Sequence, residues 1–263
     1  GVQQRQYSHS GKYPELDVVI LVDELSASSS EILAGAIQDN DRGLVLGRRT
    51  FGKGLVQSQI PFADGSALRL TVARYYTPTG RSIQKPYVHG DEQSYQMDII
   101  NRYNRNEFFS ADSIHFDSSL RYTTPAGRTV YGGGGIMPDI FVPLDTTQFT
   151  SMYRSISRNN LIMLNLTRYM DKNRKALNQQ FATFDDFRAR YTVPEAFIQT
   201  ILDAAAEKKI TAKDDAELAA TKEQLTFMLR ALVAYDLWNR NEYIQLTNER
   251  DDVVQRAIQL LSE

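Results

Sequence analysis

The chain has 263 residues, of which 42% are hydrophobic and 24% charged, with a formal net charge of −2. That is room for one large domain or two ordinary ones of globular composition, and the near-neutral charge speaks against a nucleic-acid or acidic-polymer partner. Cysteine is absent, which excludes disulfides and thiolate metal sites without assigning a compartment.

The three histidines, His9, His89 and His115, stand apart without metal-ligand spacing. Surface positions are expected for them, and neither a metal nor a cofactor is expected. No run of about 18 apolar residues appears, so no membrane-spanning segment is expected, and no signal peptide is visible. The chain opens on Gly1 instead of methionine and reads as a piece of a longer protein.

In chain order, residues 17–23 form a β-branched apolar run, suited to a strand buried on both faces of a parallel sheet. Ser28-Ser29-Ser30-Glu31 follows with capping-box spacing. Behind it, Ile32, Leu33, Ala36 and Ile37 predict a helix that stops between Asn40 and Gly43. Leu44 to Gly47 is a second short strand, so the order is a strand–helix–strand crossover. From Val56 the pattern turns to period two. Val56 to Phe62 and Ala67 to Tyr76 flank Ala63-Asp64-Gly65-Ser66, a hairpin signal, and Thr77-Pro78-Thr79-Gly80 is a turn. Residues 85–128 are polar, aromatic and weakly periodic; they read as an insertion with one short helix. Gly132 to Gly135 approaches a last strand at Ile136 to Pro143. A turning connection is the better reading of those glycines than a phosphate cradle, because no helix opens behind them.

From about 147 the chain becomes helical. Ile198, Ile201, Leu202 and Ala205 share one face. So do Leu225, Met228, Leu229 and Leu232, and again Val254, Ala257, Ile258 and Leu261. Thr192-Val193-Pro194-Glu195 is a helix start. The charged stretch 207–223 reads as a solvated face.

Two segments carry chemistry. Ser26-Ala27-Ser28-Ser29-Ser30-Glu31 puts hydroxyls at a strand-to-helix turn. Ser28 is the natural N-cap, with Glu31 reaching back to its amide. The same geometry aims a hydroxyl out of the sheet edge, where free amides of the first helical turn support developing negative charge. Ser26, Ser29 and Ser30 compete, and spacing alone does not choose among them. The second segment, Thr50-Phe51-Gly52-Lys53-Gly54, holds a lysine between glycines, 25 residues after Ser28. Gly47 to Lys53 fits the opening of a phosphate-binding loop. However, Gly54 stands where Ser or Thr would hold magnesium, and a strand pattern follows instead of a helix. A serine and a lysine are the minimum parts of a serine peptidase that needs no histidine. A lysine base works best with its pKa brought down by about three units, which burial without a carboxylate can supply. No acidic residue lies between Thr50 and Ala63, and Gln57 is a neutral group able to orient the amine.

Ser26 to Glu31, Thr50 to Gln57, Tyr75 to Gln84 and Gly135 to Asp139 resemble motifs of the tail-specific, or C-terminal processing, serine peptidases. The resemblance covers residues 17–84 and 128–143. It implies an α/β chain: an incomplete ClpP/crotonase-like peptidase core, with a mixed sheet, a crossover helix and a hairpin, followed by an all-α C-terminal region. It implies Ser28 as nucleophile, Lys53 as general base, Gln57 as its orienting partner and the Ser29 amide as an oxyanion donor. Ser29 stands where the family usually has alanine, and Leu25 where it usually has glycine or phenylalanine. The family's PDZ domain and N-terminal core strands, which contribute to its oxyanion hole, are not in this chain. Residues 1–146 are therefore expected to be the C-terminal part of the peptidase core, with 147–263 a helical domain. The implied function is Ser/Lys endopeptidase cleavage near C-termini, with little activity from this segment alone. The alternative is a non-catalytic assembly or peptide-binding module on the same scaffold. Expected partners are a protein or peptide substrate and a second copy, through the helices or an exposed sheet edge. The resemblance places the protein in the cell envelope or periplasm.

Overall fold

The computed structural model describes every residue except Gly1, Val2, Ser8, Ser10, His89 and Gln148. It divides into two compact units, residues 1–144 with 256–263, and residues 145–255.

In the first unit, β1 (Val19–Val22), α1 (Ser29–Asp39) and β2 (Leu44–Gly47) form the predicted crossover. β1 pairs parallel with β2, Val19 opposite Leu44 and Val22 opposite Gly47. A short β7 (Ile140–Phe141) then pairs parallel with β2, giving the order β1-β2-β7. The hairpin of β3 (Leu55–Pro61) and β4 (Ala67–Arg74) forms as expected, with a register shift between Val56 and Gln57. Helix α2 (Glu92–Asn104), β5 (Arg121–Thr123) and β6 (Thr129–Tyr131) complete this part of the chain.

Several expectations need correction. The mixed sheet is instead a purely parallel three-stranded sheet, with the hairpin and the β5–β6 pair as separate two-stranded sheets. The first strand is not buried on both faces. Leu21 is 41% exposed, because β1 has a partner on one side only among the described residues. Both strands of the hairpin are almost wholly exposed, and Ile60 sits opposite Leu68 on an uncovered face. Helix α1 buries Glu31, Ala34, Gly35, Gln38 and Asp39, while Ile32 and Leu33 are exposed. Its inward face is chosen by polar side chains that make bonds, not by the apolar stripe. The last strand is shorter than Ile136 to Pro143, and residues 85–128 hold a 13-residue helix and two 3₁₀ turns instead of one short helix.

The glycines at 133 and 135 serve close packing. Gly135 has φ +85, and a Cβ there would stand 2.6 Å from the Thr50 carbonyl oxygen. The Thr50 and Gly135 backbones approach this closely only without a side chain.

The second unit begins with α3 (Ser151–Arg158), α4 (Leu161–Gln180) and α5 (Phe184–Arg190), and continues with α6 (Glu195–Glu207), α7 (Asp215–Leu237) and α8 (Arg240–Thr247). Its core holds Ile156, Met170, Phe187, Ile201, Leu225 and Leu229. The predicted stripe of α6 faces this core, as do Leu225, Leu229 and Leu232 of α7, while Met228 is half-buried outside it. The charged stretch is solvated except at Thr221, which is fully buried, and at Glu217, which is buried and accepts from the amides of Met152 and Lys213. On α9 (Asp252–Ser262) only Ala257 is buried, and Ile258 and Leu261 are exposed.

Candidate active site

Ser28 sits at the mouth of α1 with φ 58 and ψ −116. A non-glycine residue in that region costs on the order of 1–3 kcal/mol and persists only where its surroundings hold it. What holds it is Glu31. The Ser28 amide donates to Glu31 Oε2 at 3.0 Å, the bond expected of the capping box.

Glu31 does more than cap. It is fully buried, 0% exposed, and its carboxylate also gathers the lysine loop. Lys53 N donates to the same Oε2 at 2.8 Å. Gly52 N and Thr50 Oγ1 donate to Oε1 at 2.6 and 2.5 Å. One oxygen thus receives both the Ser28 and the Lys53 amides. Their nitrogens cannot stand farther apart than the sum of the two bonds, about 5.8 Å. A buried carboxylate is tolerated when hydrogen bonds replace its water, and its place in the first turn of α1 sets it in the favourable field of the helix. Phe51 N donates to Ser26 O at 2.9 Å, a second tie between the two segments.

Of the competing hydroxyls, Ser26 is committed. Its Oγ donates to Asp23 Oδ1 at 2.9 Å and accepts from the Asp23 amide. Ser29 and Ser30 are exposed. The Ser29 N–H has no acceptor among the described residues, as an oxyanion donor requires. Lys53 is half-buried, and no carboxylate pairs with its Nζ among the described residues. The expected absence of nearby acid therefore needs one refinement: Glu31 is next to the lysine backbone, but its oxygens are taken by amides and a hydroxyl. Gln57 lies at the irregularity of β3, exposed, its side chain unbonded among the described residues.

The opposite end of α1 is fixed by a second buried network, which sequence reasoning missed. Arg81 and Asp39, with fully buried side chains, pair at 2.7 Å. Arg81 Nη2 also reaches Gln38 Oε1 at 2.7 Å, and Thr79 N and Oγ1 donate to Asp39 Oδ2. Gln38 Nε2 donates to the Met137 carbonyl and to Asp139 Oδ1, both at 2.9 Å. The segments 75–84 and 135–139 were legible as motifs; their shared anchor on α1 was not, because the partners are 40 to 101 residues apart in sequence. Arg102 was missed in the same way. From α2 it donates to the carbonyls of Arg49 and Thr50, at 2.6 and 3.0 Å, bracing the lysine loop from outside. His9 and His115 are exposed, as expected, and His89 lies outside the described residues.

A strained serine at a strand-to-helix turn is thus tied through the Glu31 carboxylate to the lysine loop. Residues 1–94 match Peptidase family S41. Among curated relatives, the chloroplastic C-terminal processing peptidase of Tetradesmus obliquus is 53% identical over 76 residues, 29% of this chain and 16% of the relative. The carboxy-terminal-processing protease of Bartonella bacilliformis is 53% identical over 70 residues, 27% and 16%. The carboxyl-terminal-processing protease of a Synechocystis species is 42% identical over 92 residues, 35% and 22%. The chain thus spans about a sixth to a fifth of the length of these relatives. A solved photosystem II D1 C-terminal processing protease is 55% identical over 25% of this chain and 17% of its own, with a TM-score of 0.24. Residues 152–239 match a family of unknown function, DUF8443.

Proposed function

We propose that these residues carry the active site of a serine endopeptidase that cuts proteins or peptides near their C-termini. Ser28 Oγ attacks the scissile carbonyl carbon, and the uncharged Lys53 amine takes its proton. The Ser29 amide stabilises the oxyanion. Lys53 returns the proton to the leaving amine, and water, activated in turn by Lys53, releases the acyl group. Gln57 orients the amine, and the break in register beside it is a device by which strands redirect a side chain. The observation that carries this reading is the single Glu31 oxygen bonded to both the Ser28 and Lys53 amides. The relatives named as C-terminal processing peptidases support the substrate class, and a cell-envelope or periplasmic location is proposed from the resemblance of the motifs alone.

We read residues 1–146 as the C-terminal part of the peptidase core, with 85–128 inserted, and 147–263 as a helical addition. The free edge of β1 and the uncovered apolar face of the hairpin favour a core completed by further chain. Residues 1–263 alone are therefore expected to turn over little substrate. The same edge favours, as a second reading, an assembly module that pairs with another copy.

The test is cleavage of an unstructured peptide with a free C-terminus by the intact parent protein. Ser28→Ala and Lys53→Ala should each lower turnover by at least about 10³-fold. Retained turnover in Lys53→Ala rejects the dyad. A serine-reactive probe that labels Ser28 in residues 1–263 at the intact protein's rate rejects the inactivity of the segment.

A further inference from the structure

The first unit has a cleft of about 500 Å³ that neither Ser28 nor Lys53 lines. Its charged walls are four basic side chains, Arg49, Lys85, Arg102 and Arg105, and three acidic ones, Asp98, Glu107 and Asp117. The pairing is uneven at depth. Glu107, 4% exposed, faces three guanidinium groups. Arg49 Nη2 bonds it, Arg102 Nε is 3.3 Å from it, and Arg105 Nη2 reaches it at 2.8 Å. Lys85 is spoken for: Nζ is 3.2 Å from Asp98, 3.1 Å from the Tyr95 carbonyl, and lies over the rings of Phe51 and Tyr95. Asp117 accepts from Ser119 N and Oγ. Burial and the neighbouring Arg49 bring Arg102 down to about 10, as expected of crowded like charges with one carboxylate between them.

Of the three, Arg102 is buried and Arg49 largely buried with Glu107, which leaves one positive charge in excess at depth that an anion would offset. Arg105 is more than half exposed, and its Nη1 has no partner among the described residues. Taken over the whole lining, the excess is one positive charge, which suits a monoanion better than a phosphate dianion. Apart from His115 and the glycine backbone at 132–135, the remaining wall is apolar. Phe116 stacks on Tyr131 with ring centroids 4.3 Å apart, and Phe51 and Met137 also line the cleft. We infer that this cleft binds a carboxylate carried on an apolar or aromatic body, with Arg105 as its exposed fork and the Phe116–Tyr131 pair as its platform. The site does not depend on the Ser28–Lys53 reading. Because Arg102 also bonds the carbonyls of Arg49 and Thr50, an occupant here bears on the brace of the lysine loop.

The experiment titrates N-acetylphenylalanine, its C-terminal amide and inorganic phosphate into the 263-residue chain by calorimetry. The acid should bind saturably with Kd of about 1 mM. The amide should bind at least about tenfold more weakly, because it lacks the charge the arginines face. Phosphate should show no comparable affinity. Arg105→Ala and Phe116→Ala should each weaken the acid by about tenfold, and Arg105→Lys should recover part of the loss. Arg121→Ala, at an exposed arginine outside the cleft, should change nothing. Should Arg105→Ala fail to fold by circular dichroism, Phe116→Ala reads the same site from the apolar side. A tetrapeptide ending in phenylalanine, compared with its amide, distinguishes the sources. Binding as tight as the acid's identifies a peptide chain end, and much weaker binding identifies a free small acid; each has the carboxylate occupant proposed. Equal affinity for acid and amide, tighter binding of phosphate, or no saturation by the acid overturns the inference.

Discussion

Glu31→Gln tests the clasp between the serine turn and the lysine loop. The substitution keeps shape and volume but leaves one acceptor oxygen where there were two, and adds an NH₂ group among donors. Four donors now meet the carboxylate: the amides of Ser28, Gly52 and Lys53 and the hydroxyl of Thr50. Glutamine can serve two of them at best. Each buried donor left without an acceptor costs about 1–3 kcal/mol, so the total is about 2–6 kcal/mol, before any relief from loop movement. A loss of about 3 kcal/mol corresponds to roughly a hundredfold faster amide exchange where local opening governs it. Hydrogen exchange at Gly52 and Lys53 in the 263-residue chain reads this directly. The expected result is loss of protection at those two amides and at Ser28, whose strained backbone then loses its support. Protection within about threefold of the parent would mean that the carboxylate is not what holds the loop, and the reasoning fails.

Asp39→Asn breaks a fully buried ion pair and leaves Arg81 charged and uncompensated; it should cost about 3–5 kcal/mol in urea unfolding of the first unit, and a cost below about 1 kcal/mol would contradict the anchoring role of that pair. Gly135→Ala places a methyl group against the Thr50 carbonyl at a positive φ. It should loosen the lysine loop and speed tryptic cleavage after Arg49 and Lys53, whereas an unchanged cleavage pattern would refute the close-packing argument. In the helical unit, the amides of Lys213 and Met152 hold the Glu217 carboxyl below its usual range. A depressed folded-state pKa contributes stability above the unfolded value, about 4.3, and loses it as pH falls through the folded value. Glu217→Gln should therefore melt lower than the parent at pH 7, followed by Trp238 fluorescence, and the gap should shrink in acid below the unfolded value; a gap independent of pH would contradict the assignment.

The crossover, the hairpin and the two chemical segments were legible because each is written in local periodicity or contiguous residue types. Ser28 and Glu31 are three positions apart, and the capping box between them is visible in the chain. The second duty of Glu31 was not visible, since Gly52 and Lys53 lie 21 and 22 residues away and spacing does not say which loop folds onto a helix mouth. The facing of α1 misled for a related reason. Its apolar residues outline a stripe, but Gln38 and Asp39 find buried partners in segments 79–81 and 137–139. Satisfied polar groups of that kind turn the helix against its hydrophobic pattern. The exposed face of β1 and the bare hairpin follow from strands that have fewer neighbours than their apolar content would suit. Arg102 belongs to a segment with weak periodicity, and only the fold shows that it reaches the lysine loop.

The most direct measurement of the central claim is mass-spectrometric mapping of a fluorophosphonate probe on the intact parent protein, with Lys53→Met as the comparison. The account predicts label on Ser28 alone, at a rate that falls by at least about a hundredfold in Lys53→Met while the fold is kept. Label on Ser26, Ser29 or Ser30, or an undiminished rate at Ser28 without the lysine, would contradict it.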